Sequence, residues 1–203
     1  ISKKVRDQYE QNPYPRWKYA EIHPKVSFYS ELNSDIHPNK IPLFNEIKNY
    51  KILIAGCGTG QQLARGINYR DADILAIDLS LSSLAFAKRK MQEFNIKNIE
   101  FLHTDLLKLK KLRKKFNIVE CMGVLHHLEN PEEGLNILLD MLEPNGFLKL
   151  GLYSEKARKH IVKLREFIKK NKFDDTAKGI RDCRRAIINK KEDKIFKEIL
   201  NRN

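Results

Sequence analysis

Residues 51–61 read KILIAGCGTGQ, an aliphatic run at 52–55 that passes directly into three alternate glycines, Gly56, Gly58 and Gly60. Consecutive aliphatics suit a strand covered on both faces, as in a parallel sheet, and the glycines suit a sharp turn into a helix. A side chain at such a turn obstructs both a positive-φ backbone and the approach of a ligand to the main chain. Gly56, Cys57, Gly58, Thr59 and Gly60 are therefore the first candidate binding residues. The dinucleotide spacing G-x-G-x-x-G requires glycine at position 61, where this chain has Gln61. The spacing here is G-x-G-x-G, which alone also suits a purely structural turn, so its meaning depends on the residues at the ends of the later strands.

Along the rest of the chain, aliphatic runs alternate with segments of helical periodicity. Strands are expected over 72–77, 99–102, 117–121 and 147–153. Helices are expected over 3–10, 42–48, 59–66, 80–94 and 132–142, with Ser80 as a cap for the helix it opens and Pro131 in a tolerated first-turn position. The run KLKKLRKK at 108–115 reads as a solvated connection, and Glu143-Pro144-Asn145-Gly146 as a turn. This alternation predicts an α/β fold: a doubly wound, mostly parallel, Rossmann-like sheet with helices on both faces. Beyond Ser154 the pattern is helical, over 155–171, 175–189 and 192–201. Three segments result: an N-terminal arm over 1–50, a core over 51–153 and a helical tail over 154–203.

The tail holds most of the basic surplus. Of a net charge of +13, residues 151–203 carry 17 Lys/Arg against 8 Asp/Glu, leaving 22 against 18 in the first 150. Such a surplus suits nucleic acid or an acidic protein as a partner. AT-rich coding and solvated helix faces account for it equally well, and nucleic acid is not favoured. No apolar segment approaches the ~20 residues of a membrane span, so no membrane role is expected. The three cysteines, Cys57, Cys121 and Cys183, lack C-x-x-C spacing; no metal site or disulfide framework is expected, and a cytoplasmic setting fits. Cys57 and Cys121 follow or end strands and are candidates for neighbours. Tyr9, Tyr14, Trp17 and Tyr19 cluster in the proline-stiffened arm and call for burial, either as a clasp on the domain or over a ligand.

Ligands of open parallel sheets sit beyond the carboxyl ends of the strands, near the reversal of strand order. Four features fall there: the glycine turn, Asp78 with Leu79, Thr104-Asp105-Leu106, and Met122-Gly123-Val124 leading to His126 and His127. An acid at the end of the second strand, about 20 residues past the glycines, suits a pair of ribose hydroxyls, although Asp78 is also placed to cap a helix. Asp105 suits an adenine amino group, with backbone groups of Thr104 or Leu106 beside it, or serves as a turn residue. A pyrophosphate favours cationic groups, whereas a sulfonium and an ammonium suit two carboxylates and a glycine loop that lacks Lys and Arg. The combination points to S-adenosylmethionine, giving S-adenosylhomocysteine as product.

ILIAGCGTG, AIDLS, HTDLL and VECMGVLHHLENP, in this order and spacing, resemble the class I S-adenosylmethionine-dependent methyltransferases over residues 50–153. YEQNPYPRW and GLYSEKAR resemble a bacterial subgroup often joined to tetratricopeptide repeats, and more distantly the rickettsial protein-lysine methyltransferases. The resemblance implies methyl transfer to an unidentified acceptor, with a tetratricopeptide-repeat segment as a partner in a longer chain. Two departures stand out. The family sheet closes with an antiparallel strand pair after the fifth strand, and residues 154–203 show none, as expected of a fragment or an incomplete sheet. Asn117 stands where the family has Asp.

His126 and His127 are the candidate proton acceptors, each also suited to packing or capping. The element after the fourth strand is not of the N/D-P-P-Y/F type, which disfavours methylation of DNA base amino groups and leaves protein, lipid or small-molecule acceptors. Tyr14, Arg16 and Trp17 are expected over the cofactor mouth, where an aromatic face attracts a sulfonium. The non-enzyme alternative is a module that binds S-adenosylmethionine as an anchor while its basic tail docks RNA or an acidic partner.

Overall fold

The computed structural model describes residues 3–19, 27–40, 49–66 and 72–190. They form two compact units, residues 1–152 and 153–203. The expected helices at 42–48 and 192–201 lie outside the described residues.

The first unit is built on a five-stranded sheet of β1 (Tyr50–Ala55), β2 (Ala72–Asp78), β3 (Ile99–His103), β4 (Phe116–Met122) and β5 (Leu142–Gly151). The order is β3-β2-β1-β4-β5 and every pairing is parallel. The chain winds outward from β1 in one direction and then the other, so the reversal falls between β1 and β4. Among the described residues no further strand follows β5, which leaves the sheet open at that edge.

Alternation along the central strands divides the core into two layers. Ile52 and Ile54 of β1, with Ile74 and Ala76 of β2, face α3 (Gln61–Gly66) and α4 (Leu81–Glu93), where Leu63, Leu84, Ala87 and Met91 close the layer. Leu53 and Ala55, with Leu75, Ile77, Val119 and Cys121, face the opposite side and pack on α5 (Pro131–Asp140) through Ile137 and Leu138. A strand buried on both faces must be aliphatic at every position, which is why 52–55 reads as an unbroken run.

Several local expectations are corrected. The run 108–115 is not simply solvated: Leu106–Leu112 forms a 3-10 helix whose Leu106 and Leu109 are buried in the second layer while its lysines point outward. The turn expected at 143–146 lies inside β5. The partners of β4 shift from Phe116↔Leu142 to Ile118↔Phe147, so the strand absorbs the extra residues as an irregularity, with Asn145 at φ 63°. Cys57 and Cys121 are not neighbours, because they belong to opposite layers, and all three cysteines are free thiols. Asn117 supports the backbone as the family's Asp would, its side-chain oxygen accepting from Lys51 N–H at 2.9 Å.

Ser80 caps α4, accepting from Ser83 N–H, and Asn130 caps α5 ahead of Pro131. The N-terminal residues form α1 (Lys3–Gln11) and α2 (Phe28–Asp35). The second unit contains α6 (Lys159–Lys170) and α7 (Ala177–Asn189), which meet over Cys183, Ile187, Leu164, Phe167, Ile168 and Phe173. Their lysines and arginines lie on the outer faces. No helix among the described residues is long and apolar enough to cross a membrane.

Candidate active site

The glycine turn leaves β1 with positive φ at Gly56, Gly58 and Gly60, a conformation that L side chains rarely take. Gly56 and Cys57 donate to the carbonyl of Ile77 at 2.9 and 3.0 Å, which pins the turn to the end of β2. The space beside the glycines is taken by protein. A Cβ at Gly56 would stand 2.2 Å from Val124 Cγ2, one at Gly58 would stand 2.9 Å from the Tyr14 carbonyl oxygen, and one at Gly60 would stand 2.8 Å from Ala87 Cβ. The glycines thus let three segments close in: the connection after β4, the N-terminal arm and α4.

Asp78 ends β2 and divides its carboxylate between two segments. Oδ2 accepts from Gly58 N–H at 2.7 Å and Oδ1 from Ser80 N–H at 2.9 Å. Ser80, not Asp78, caps α4. Burial raises the Asp78 pKa, and the N–H groups of Ser80, Gly58 and Leu79 oppose that rise. The two carboxylate oxygens keep acceptor capacity beyond these backbone partners. Burial likewise pushes the Cys57 thiol well up, helped by the nearby Asp78 charge, and its side chain packs in the first core layer.

After β3, Thr104 N–H donates to the Asp78 carbonyl at 3.1 Å, and His103 Nε2 donates to the Leu79 carbonyl at 2.9 Å. Asp105 caps the 3-10 helix, Oδ1 accepting from Leu107 N–H at 3.0 Å, and the Leu106 side chain is core. After β4, Gly123 takes φ 74° and donates to Gly151 O, and Met122 shares that edge. The 3-10 turn Leu125–His127 comes next, with His127 N–H donating to Val124 O at 2.9 Å. The His126 and His127 rings are 4.3 Å apart, and burial lowers the His127 pKa.

The arm crosses these ends. Ser80 Oγ donates to the Glu10 carboxylate at 2.7 Å, with the Tyr9 carbonyl oxygen 3.2 Å away, and the same Glu10 oxygen accepts from Ser82 N–H at 3.1 Å. The Tyr9 hydroxyl lies 3.2 Å from His127 Nε2, a hydrogen bond whose direction follows the imidazole tautomer. Thr59 Oγ1 donates to Pro15 O, and Trp17 Nε1 donates to Thr59 O at 3.1 Å. The contacts form a closed ring: Gly56 on Val124, Val124 to His127, His127 to Tyr9, Tyr9 to Ser80, Ser80 to Asp78, and Asp78 to Gly58.

Trp17 is a clasp. Its ring stacks on Phe94 at 6.0 Å, meets Phe86 edge-on at 6.1 Å, and has Lys90 as the cation near its face. The expectation that its ring covers a sulfonium is therefore replaced by a core role, because the indole fills the layer beneath α4. Tyr14 and Tyr19 are 67% and 90% exposed, so the clustered aromatics do not share Trp17's burial. Arg16 is exposed as well. The aromatic cluster flagged Tyr9 for burial but not its partner, and Glu10 carried no local signal, since Ser80 and His127 lie far along the chain. Among the described residues no cluster of metal-ligating side chains occurs.

Comparison with known proteins agrees with this architecture. A family model described as a methyltransferase domain matches residues 46–202. An uncharacterized protein of Synechococcus is 38% identical over 120 residues, 58% of this chain and 29% of its own length. An uncharacterized protein of Rickettsia prowazekii is 28% identical over 72% of this chain and 57% of its own length. A ubiquinone biosynthesis O-methyltransferase of Acinetobacter baumannii is 30% identical over 47% of this chain and 40% of its own length. The chain thus spans only part of each of these relatives. Among solved structures, PKMT2 from Rickettsia typhi in complex with AdoHcy superposes with a TM-score of 0.56 at 23% identity, covering 68% of this chain and 27% of that one. The chain belongs to the methyltransferase-domain family, and its parallel sheet is that of the class I S-adenosylmethionine-dependent methyltransferases.

Proposed function

We propose that this chain binds S-adenosylmethionine at the carboxyl ends of β1, β2, β3 and β4 and catalyses methyl transfer to a hydroxyl or amine acceptor of a protein side chain or small molecule. The observation that carries the reading is the carboxylate of Asp78, held between Gly58 N–H and Ser80 N–H at the reversal of strand order. Its remaining lone pairs suit two ribose hydroxyls, and its charge suits a cationic ligand better than a pyrophosphate. When bound, S-adenosylmethionine supplies a methyl group on an already activated sulfonium. What the chain adds is alignment and exclusion of water, which together are worth roughly 7–11 kcal/mol when complete.

Asp78 and Leu79 would hold the ribose, Thr104, Asp105 and Leu106 the adenine, and the turn Gly56–Gly60 with Met122, Gly123 and Val124 the methionine portion. Tyr14 and Arg16 would border the mouth, where the arm's backbone lies against Gly58. His127, whose pKa burial lowers, is the candidate proton acceptor. Similarity to an O-methyltransferase supports a nucleophile that sheds a proton. The test is release of S-adenosylhomocysteine when the purified chain receives S-adenosylmethionine and a cell extract; release that ceases in Asp78→Ala supports the enzyme. Cofactor binding without any release would leave the anchoring module as the better account.

A further inference from the structure

An acceptor hydroxyl or ammonium has to lose a proton, and the structure sets two proton-handling side chains from distant parts of the chain against each other. The Tyr9 hydroxyl on α1 lies 3.2 Å from His127 Nε2, with the two rings edge-on at 5.9 Å and 78°. Helix α1 buries none of its residues. Val5, Asp7 and Tyr9 are half-buried, so core packing contributes little to its hold. Polar contacts instead tie it to the site: Tyr9 O and Glu10 on Ser80, Glu10 on Ser82 N–H, and the Tyr9 hydroxyl on His127. Edge-on ring packing alone would be satisfied by phenylalanine; the hydroxyl adds a proton path.

Resting on the methyl-transfer reading above, we propose that Tyr9 and His127 act as one proton relay for the methyl acceptor, with Tyr9 touching the acceptor and His127 receiving the charge. The acceptor's X–H bond breaks as its proton passes to the Tyr9 oxygen. The Tyr9 proton passes in turn to His127 Nε2, forming one N–H bond and leaving Tyr9 a neutral phenol. The acceptor keeps the electron pair that bonds the incoming methyl group, and the imidazolium later returns its proton to water. The relay requires a resting imidazole protonated at Nδ1, with Nε2 accepting from Tyr9. Burial of His127 favours the neutral ring that this needs.

The test uses the 15N spectrum of the His127 ring near pH 7, in the wild-type chain and in Tyr9→Phe, with folding checked by the amide spectrum and S-adenosylhomocysteine affinity by calorimetry. The relay predicts an unprotonated, hydrogen-bonded Nε2 in the wild type, a ring that shifts toward the Nε2–H tautomer in Tyr9→Phe, and equal ligand affinity in both. Catechol and a lysine-rich peptide, given with methyl-labelled S-adenosylmethionine, serve as hydroxyl and amine probes. Whichever is methylated should lose at least about tenfold in kcat in Tyr9→Phe and in His127→Asn, with unchanged KM for the cofactor and no further loss in the double variant. A wild-type ring already protonated at Nε2, or an unchanged kcat in Tyr9→Phe, overturns the relay. Methylation of neither probe by a chain that binds S-adenosylhomocysteine overturns the assignment to hydroxyl and amine acceptors. A chain that binds no S-adenosylhomocysteine removes instead the reading on which the relay rests.

Discussion

The indole of Trp17 donates to the carbonyl oxygen of Thr59 at 3.1 Å, joining the arm to the glycine turn across 42 residues of sequence. The same ring is 7% exposed and stacked on Phe94 at the C-terminal cap of α4. The arm is therefore anchored in the core and tied to the binding turn through one side chain.

Replacing Trp17 by Ala should cost about 3–5 kcal/mol, the range for deleting a buried aromatic. Trp17→Phe keeps most of the packing and loses the donor to Thr59, for a smaller loss of about 1 kcal/mol. Urea denaturation monitored by far-UV circular dichroism separates the two. Equal, small losses would show that the arm is not part of the cooperative core.

Asp78→Ala should weaken S-adenosylhomocysteine at least tenfold, since each hydrogen bond to a charged group is worth about 1.5–3 kcal/mol before non-additivity. Asp78→Asn is the companion variant, because its one amide oxygen can still accept from Gly58 N–H, while its NH2 cannot replace the acceptor that Ser80 N–H loses. Affinity measured by calorimetry should fall in both. If Asn restored wild-type affinity, the charge would be irrelevant and only the backbone contacts of Asp78 would matter.

Binding should also weaken on acidification. The carboxylate is the form that accepts ribose hydroxyls, and burial raises its pKa above the ordinary carboxylate value. The free chain therefore takes up a proton at a higher pH than an exposed aspartate, and affinity falls as pH drops through that raised value. In Asp78→Asn this part of the pH dependence should vanish, which a calorimetric pH series reads directly.

How much of this was legible beforehand depends on whether the cause was local. The strands, the glycine turn and the Ser80 cap announce themselves through aliphatic runs, positive-φ residues and a short polar side chain before a helix. The 3-10 helix Leu106–Leu112 hid behind its lysines, because Leu106 and Leu109 are too few to establish a period. The turn residues within β5 signalled an end to pairing, yet β4 supplies partners on either side of them. The aromatic cluster revealed that something in the arm is buried but not which ring: Trp17 is, and Tyr19 is not. Tyr9 and Glu10 gained their partners only when the sheet brought Ser80 and His127 to one edge.

Glu10 offers a mild test of the arm's second anchor. The hydrogen bond from Ser80 holds its pKa below the ordinary carboxylate value, helped by the Ser82 contacts. Because the folded value is depressed, the contribution is whole above the ordinary value and is lost as pH falls through the lower folded one. The side chain is exposed, so Glu10→Ala should have little effect on global stability. It should nevertheless speed amide exchange along α1 selectively, leaving β1 and β2 protected. Uniform loss of protection would mean that α1 and the sheet open together.

The central claim is that the edge built from Gly58, Asp78 and Ser80 receives S-adenosylmethionine and not a dinucleotide. Isothermal calorimetry of the purified chain with S-adenosylhomocysteine and, separately, with NAD tests it most directly. Saturable one-to-one binding of S-adenosylhomocysteine that weakens in Asp78→Asn is predicted, with no heat of binding for NAD. Tight binding of NAD without any response to S-adenosylhomocysteine would contradict it.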